Sequence, residues 1–237
     1  MSSANVKTPS ADKQAVQNYF NTAGFERWRR IYGSEEVNRV QRDIREGHQQ
    51  TVDLVLGWFR ADATNPRQPL DLTRISVCDA GCGTGSLSLP LAQMGVPVTA
   101  SDISEKMIAE AQSRAGDCAN ITFAVADLET LTGSYHTVIC LDVLIHYPDS
   151  EMAAMISHLS SLAEQRLILS FAPQNFYYTL LKKVGELFPG PSKATRAYLH
   201  RETDIRRILA DCGLVVRRNE FTATQFYFSR LLEAVRR

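Results

Sequence analysis

The chain has 237 residues, 44% of them hydrophobic and 22% charged, which is ordinary for a soluble globular protein. That length holds one large α/β domain with a decorated end, or two small domains. Lys plus Arg equals Asp plus Glu at 26 each, so net charge argues neither for nor against nucleic acid, and no basic run suits tracking along DNA. No stretch approaches the roughly 18 consecutive apolar residues of a spanning helix, leaving at most peripheral membrane contact. Five cysteines (78, 82, 118, 140 and 212) point to free thiols in a reducing compartment. Cys78 and Cys82 lack the partners of a zinc site, so no protein-bound metal is expected. Residues 1–11 are small and polar with no apolar core, and no signal or transit peptide is expected there.

In chain order, Lys13 to Asn21 reads as a helix. Phe25 to Gly33 follows, with Phe25, Trp28 and Tyr32 on one helical face. Phe25 and Trp28 are expected to pack this helix onto a sheet, whereas Tyr32, beside Gly33, sits where a phenol can reach a ligand. Ser34-Glu35-Glu36 reads as the start of a long helix over Val37 to Phe59, whose Val37, Val40, Ile44, Val52, Val55, Leu56 and Phe59 recur at threes and fours. Its middle is polar: Arg45 and Glu46 read as a solvated face, and Gly47 as a kink or a close ligand approach. Residues 1–60 are therefore taken as an N-terminal helical arm or cap. Residues 61–237 form the core, with 61–73 as a loop or linker.

The stretch Ile75 to Asp79 is a buried strand running into Gly81, Gly83 and Gly85, where the backbone can turn sharply and approach a ligand closely. A helix over Ser86 to Met94 then points its N–H groups back at that ligand. A dinucleotide fingerprint would need glycine where Ser86 stands, and no Walker lysine follows. The packed D-x-G-x-G-x-G form instead suits S-adenosylmethionine (SAM). Pro97 to Asp102 is a second strand whose terminal carboxylate can accept both ribose hydroxyls. Thr122 to Leu128 is a third, closing on Asp127 for the adenine amino group with Leu128 covering the ring. His136 begins a fourth strand that runs out towards His146 and Tyr147. Three carboxylates at this spacing resemble the class I SAM-dependent methyltransferases over residues 70 to 172. The expected fold is a doubly wound, mostly parallel seven-stranded sheet. Ile103, Met107 and Leu141 are expected to join Asp79, Gly81, Gly83, Gly85, Asp102, Asp127 and Leu128 around the cofactor.

Beyond the fourth strand, Asp149 or Ser150 caps a helix through Leu162 that buries Met152, Met155, Ile156 and Leu159. Arg166 to Phe171 is the fifth strand, Glu202 to Cys212 a helix, and Leu214 to Glu220 with Gln225 to Leu232 a final antiparallel pair. Residues 172–200 interrupt the alternation as a lid insert after the fifth strand. Rings including Tyr177, Tyr178, Tyr198 and His200 lie among Lys182, Lys183 and Arg196, which suits a large flat molecule bearing carboxylates.

Tyr19-Phe20-Asn21, Phe25 to Gly33, Val37-Asn38, Asp43-Ile44-Arg45, Gly47-His48, Cys140 to Pro148 and Phe171-Ala172-Pro173 through Gly190 together resemble the magnesium-protoporphyrin IX O-methyltransferases. The resemblance implies methyl transfer from SAM to a propionate of Mg-protoporphyrin IX in chlorophyll synthesis. It also implies porphyrin delivery by the large subunit of magnesium chelatase, and a cytoplasmic protein at most peripheral to photosynthetic membranes. His146 is the expected aligner of the carboxylate, Tyr32 its orienter and water excluder, and His48, with Tyr177 and Tyr178, an expected substrate contact. Two other readings stay open. One is a SAM methyltransferase acting on another small molecule, such as a quinone hydroxyl; the other is a SAM- or porphyrin-binding protein without catalysis.

Overall fold

A computed structural model describes residues 11–174 and 198–237. Seven strands form one sheet: β1 (Val77–Ala80), β2 (Val98–Asp102), β3 (Ile121–Val125), β4 (Tyr135–Cys140), β5 (Ala163–Phe171), β6 (Leu214–Ala223) and β7 (Phe228–Arg236). Their order is β3-β2-β1-β4-β5-β7-β6. The first five are parallel, and β7 runs antiparallel to both of its neighbours. The doubly wound, mostly parallel sheet expected from the sequence is therefore present, with its switch point between β1 and β4.

The described residues also form the helices α1 (Ala11–Asn21), α2 (Ala23–Ile31), α3 (Arg39–Ala63), α4 (Ser88–Gln93), α5 (Glu105–Ala115), α6 (Asp149–Leu162) and α7 (Glu202–Asp211). The period-two alternation of strands divides the core into two layers. Val77, Ile139 and Ile168 face Val52, Val55, Leu56 and Phe59 of α3, with Leu91 and Ile108. Cys78, Val138, Leu167 and Leu169 face Met152, Met155, Ile156 and Leu159 of α6, with Ile205 and Leu209 of α7. Each such side chain contributes about 1.5–3 kcal/mol by leaving water.

Helix α3 departs from the sequence expectation at both ends. It starts at Arg39, because Asn38 and Gln41 form a reciprocal capping box; Ser34 to Glu36 lie outside it. Val40 is exposed. At the far end α3 continues to Ala63 through the stretch read as linker. Arg45 is not part of a solvated face: it donates to the carbonyls of Ile31, Arg30 and Glu35, tying off the end of α2. Gly47 is required by a side chain rather than a ligand, since a Cβ there would lie 2.4 Å from the Tyr227 ring. The arm helices rest on α5 and α3 rather than on the sheet. Helix α6 begins after Pro148 without a side-chain cap; Asp149 is spent instead on Nδ1 of His200, 2.7 Å away.

The end of α3 is locked by buried charge. Arg166 of β5 reaches Asp62 at 2.7 Å and Glu233 of β7 at 3.1 Å, with its guanidinium 4.1 Å from the Phe59 ring centre. Arg218 completes the set by pairing with Asp62. Among the described residues, no helix is long and apolar enough to cross a membrane. Arg166→Met leaves the fully buried Glu233 short of a partner and should cost about 3–5 kcal/mol in urea unfolding.

Candidate active site

The ends of β1, β2, β3 and β4 surround a cavity of about 1050 Å³, counting its open mouth. Its floor is the glycine loop after β1. Gly81 and Gly83 hold φ of +86° and +54°, and a Cβ on Gly81 would lie 2.3 Å from Val143. The loop is pinned to β2: Gly81 N and Cys82 N donate to Ser101 O, while Gly83 N donates to Asp102 Oδ2 at 3.0 Å. Gly81 and Gly83 line the cavity. Gly85 does not; its missing Cβ makes room for Leu89, 3.2 Å away, so it serves the packing of α4.

Four carboxylates stand along this edge. Asp79 is buried, accepts from Ser88 Oγ, and has its carboxyl pushed up to about 6 by burial. Asp102 is also raised by burial, against hydrogen bonds from Ser104 N and Gly83 N. Asp127 accepts from Glu129 N and lines the cavity beside the buried Leu128. Asp142, just past β4, takes the left-handed φ of +56°, uncommon for any residue but glycine. Ile103, Met107 and Leu141 supply apolar wall between these groups.

The β4 end is roofed by the arm. Tyr32 tilts over His48 with ring centres 4.4 Å apart, and Trp28 lies 5.3 Å behind it. Trp28 is thus in an aromatic row above the cavity, not packed on the sheet. Burial pushes the Tyr32 phenol well above its ordinary range. His146 stands edge-on to Phe20 at 5.5 Å, and its buried Nδ1 has no partner among the described residues. Burial lowers its pKa to about 4, so the imidazole is neutral at physiological pH.

His48 lines the cavity too, but both ring nitrogens are engaged. Nδ1 donates to Asp142 Oδ2 at 2.8 Å, and Nε2 lies in hydrogen-bond contact with Ser86 Oγ at 2.9 Å. It joins α3, the glycine loop and β4. Asp142 also accepts from the Tyr227 hydroxyl at 2.8 and 3.1 Å and from Ser170 Oγ at 2.9 Å. Burial opposes its ionisation, but the His48 hydrogen bond and those from Tyr227 and Ser170 hold its carboxyl below the usual range.

Asp142 and Tyr227 are cavity-building residues to which sequence reasoning gave no role. A lone Asp inside the apolar run Cys140 to Ile145 was a signal for the first. Tyr227 carried none, lying 85 residues from its partner. Tyr177 and Tyr178 lie outside the described residues, as does Arg196. His200, at the end of the insert expected as a substrate lid, serves the fold instead. It is buried, bridging Asp149 and the Leu144 carbonyl, and Tyr198 N donates to Ile145 O; both secure the loop that carries His146.

The comparisons with known proteins agree with this architecture. Residues 140–236 match the family model for the magnesium-protoporphyrin IX methyltransferase C-terminus, and residues 77–165 match a methyltransferase domain. The magnesium-protoporphyrin O-methyltransferase of Synechocystis is 59% identical over 95% of this chain and 96% of its own length. The chloroplastic magnesium protoporphyrin IX methyltransferase of Arabidopsis thaliana is 57% identical over 94% of this chain and 71% of its own. The crystal structure of the Synechocystis enzyme (ChlM) with bound S-adenosylhomocysteine (SAH) superposes with a TM-score of 0.86 at 58% identity, covering 95% of this chain and all of that one. With identity of this order along nearly the whole length, this chain belongs to the magnesium-protoporphyrin IX O-methyltransferase family.

Proposed function

We propose that this protein transfers a methyl group from SAM to a propionate carboxylate of Mg-protoporphyrin IX, giving the monomethyl ester and SAH. One observation carries the reading: a glycine loop and buried strand-end carboxylates share a cavity with a neutral imidazole, whose Nδ1 has no partner among the described residues, under an aromatic roof. The residues fit SAM. Gly83, where an added Cβ would meet nothing within 4 Å, leaves open space on the cavity floor, and Asp79, Asp102 and Asp127 offer acceptors at the strand ends. When bound, SAM supplies an electrophilic methyl on a cationic sulfur.

The rest of the mechanism belongs to the chain. A propionate is ionised at neutral pH, since carboxyl pKa values lie near about 4, and needs no strong base. His146 at about 4 would be a poor base for a phenolic or quinol hydroxyl, but as a neutral ring it can donate one hydrogen bond to a carboxylate and align it. Its weak basicity therefore favours an acceptor that arrives already deprotonated. Tyr32, with Trp28 and Phe20, closes the roof and excludes water, which strengthens the pull between a carboxylate and a cationic donor. His48 holds the roof, the glycine loop and Asp142 in register.

Residues 1–60 serve in this reading as the cap over a core of 61–237, and Tyr177 and Tyr178 in the 172–200 insert as porphyrin contacts. A flat, poorly soluble tetrapyrrole favours direct handover, and the family resemblance names the large subunit of magnesium chelatase as donor. The protein would work in the cytoplasm, at most at a membrane surface.

His146→Ala should lower kcat for Mg-protoporphyrin IX by at least about 10²-fold with SAM affinity retained; full activity would remove His146 from the mechanism. Because His146 is already neutral, wild-type kcat should show no His146 limb between pH 6 and 8, and should lose this contribution only as pH falls towards 4. Asp79 obeys the opposite sign. Its carboxyl is raised from 3.8 to about 6, so the ligand-free native state binds more protons than the unfolded chain between those values; stability falls as pH rises through that window, and the cost is fully present above it. Asp79→Asn should therefore raise the ligand-free Tm at pH 7.5 by about 2–4 °C while abolishing measurable SAM binding.

A further inference from the structure

The four strand-end carboxylates are not equivalent, and the difference lies in how each is held. Asp79 and Asp102 have their carboxyls raised by burial. Asp142 is held the other way, with three side chains donating to it from α3, β5 and the turn before β7. It sits at the β4 end of the edge, separated from Asp127 by the ends of β1 and β2, beside Leu141 and under the Tyr32–His48 pair. That is the end of the cavity where His146 and the roof converge. Among the described lining residues there is no Lys or Arg to neutralise it from the cavity side. The backbone accepts a left-handed residue to place this carboxylate there.

Resting on the function proposed above, we infer that Asp142 is the group that makes the cavity prefer the cationic methyl donor over its spent, uncharged thioether. SAM and SAH differ by one methyl group and one positive charge. A single methyl in an apolar pocket discriminates by only about 10–200-fold. A fixed negative charge under the aromatic roof would act on a sulfonium bound there. Once the methyl has gone, that attraction disappears, and the product leaves a site whose shape still fits it. His48, Tyr227 and Ser170 spread the charge so that the incoming propionate is not simply repelled.

Calorimetry with SAM, SAH and sinefungin, which carries an ammonium in place of the sulfonium, separates this role from a structural one. Asp142→Asn is suited to the test because Asn tolerates positive φ and keeps hydrogen-bonding capacity. Relative to SAH, it should weaken SAM and sinefungin by about tenfold each. Equal losses for all three ligands, or none, would overturn the inference. Tyr227→Phe keeps the ring against Gly47 but removes a donor that shares the charge, and should raise the preference for SAM over SAH by about two- to threefold. An unchanged or smaller preference in that variant would count equally against it, even were Asp142→Asn unable to fold. A wild-type protein that takes up neither SAM nor SAH would instead bring down the proposed function itself.

Discussion

The hydrogen bond between His48 and Asp142 is the contact on which the site depends, because it closes a circuit between α3, the glycine loop and the end of β4. Through it α3 is fastened to the end of β4; through the other ring nitrogen α3 is fastened to Ser86 in the glycine loop. The imidazole is also the platform for Tyr32, so the position of the roof is read off the same ring. Asp142 extends the circuit to β5 through Ser170 and to β7 through Tyr227. Tyr227 reaches in because α3 has glycine at position 47. A bland surface helix would have no need of such a gap.

This arrangement sets an energetic opposition that is common where function is stored. Carboxylates are placed where burial disfavours their charge, and the backbone at Asp142 is held in a left-handed conformation. The compensation comes from elsewhere: two apolar layers packed on a central parallel sheet, and a charge cluster around Arg166 that locks the end of α3. The site is thus under strain on one edge of a sheet that is well held on both faces.

The sheet was legible in the sequence because its signals are local. Short apolar runs ending in Asp79, Asp102 and Asp127 at one βα-unit spacing give strand, loop and helix in order, and the glycine run marks where the backbone must turn. The N-terminal stretch was legible in its helices but not in its packing. Periodicity placed Phe25, Trp28 and Tyr32 on one face without saying that the face looks onto α5, α3 and a cavity roof rather than the sheet. Arg45 and Asp62 were unreadable for a related reason. A charged residue on a helix looks solvated until its partner is known, and theirs come from the end of α2 and from β5 and β6. His200 shows the converse: it closes an insert whose composition suits a ligand, whereas its own two hydrogen bonds make it a fastening for the His146 loop.

The account stands or falls on what the cavity does to a tetrapyrrole. Incubating the purified protein with methyl-labelled SAM and Mg-protoporphyrin IX, and reading the products by mass, addresses that directly. The account predicts a single labelled methyl ester on a propionate with one SAH formed per ester. Label that stays on SAM in the presence of porphyrin, or that moves only to a hydroxyl acceptor such as a quinol, would contradict it.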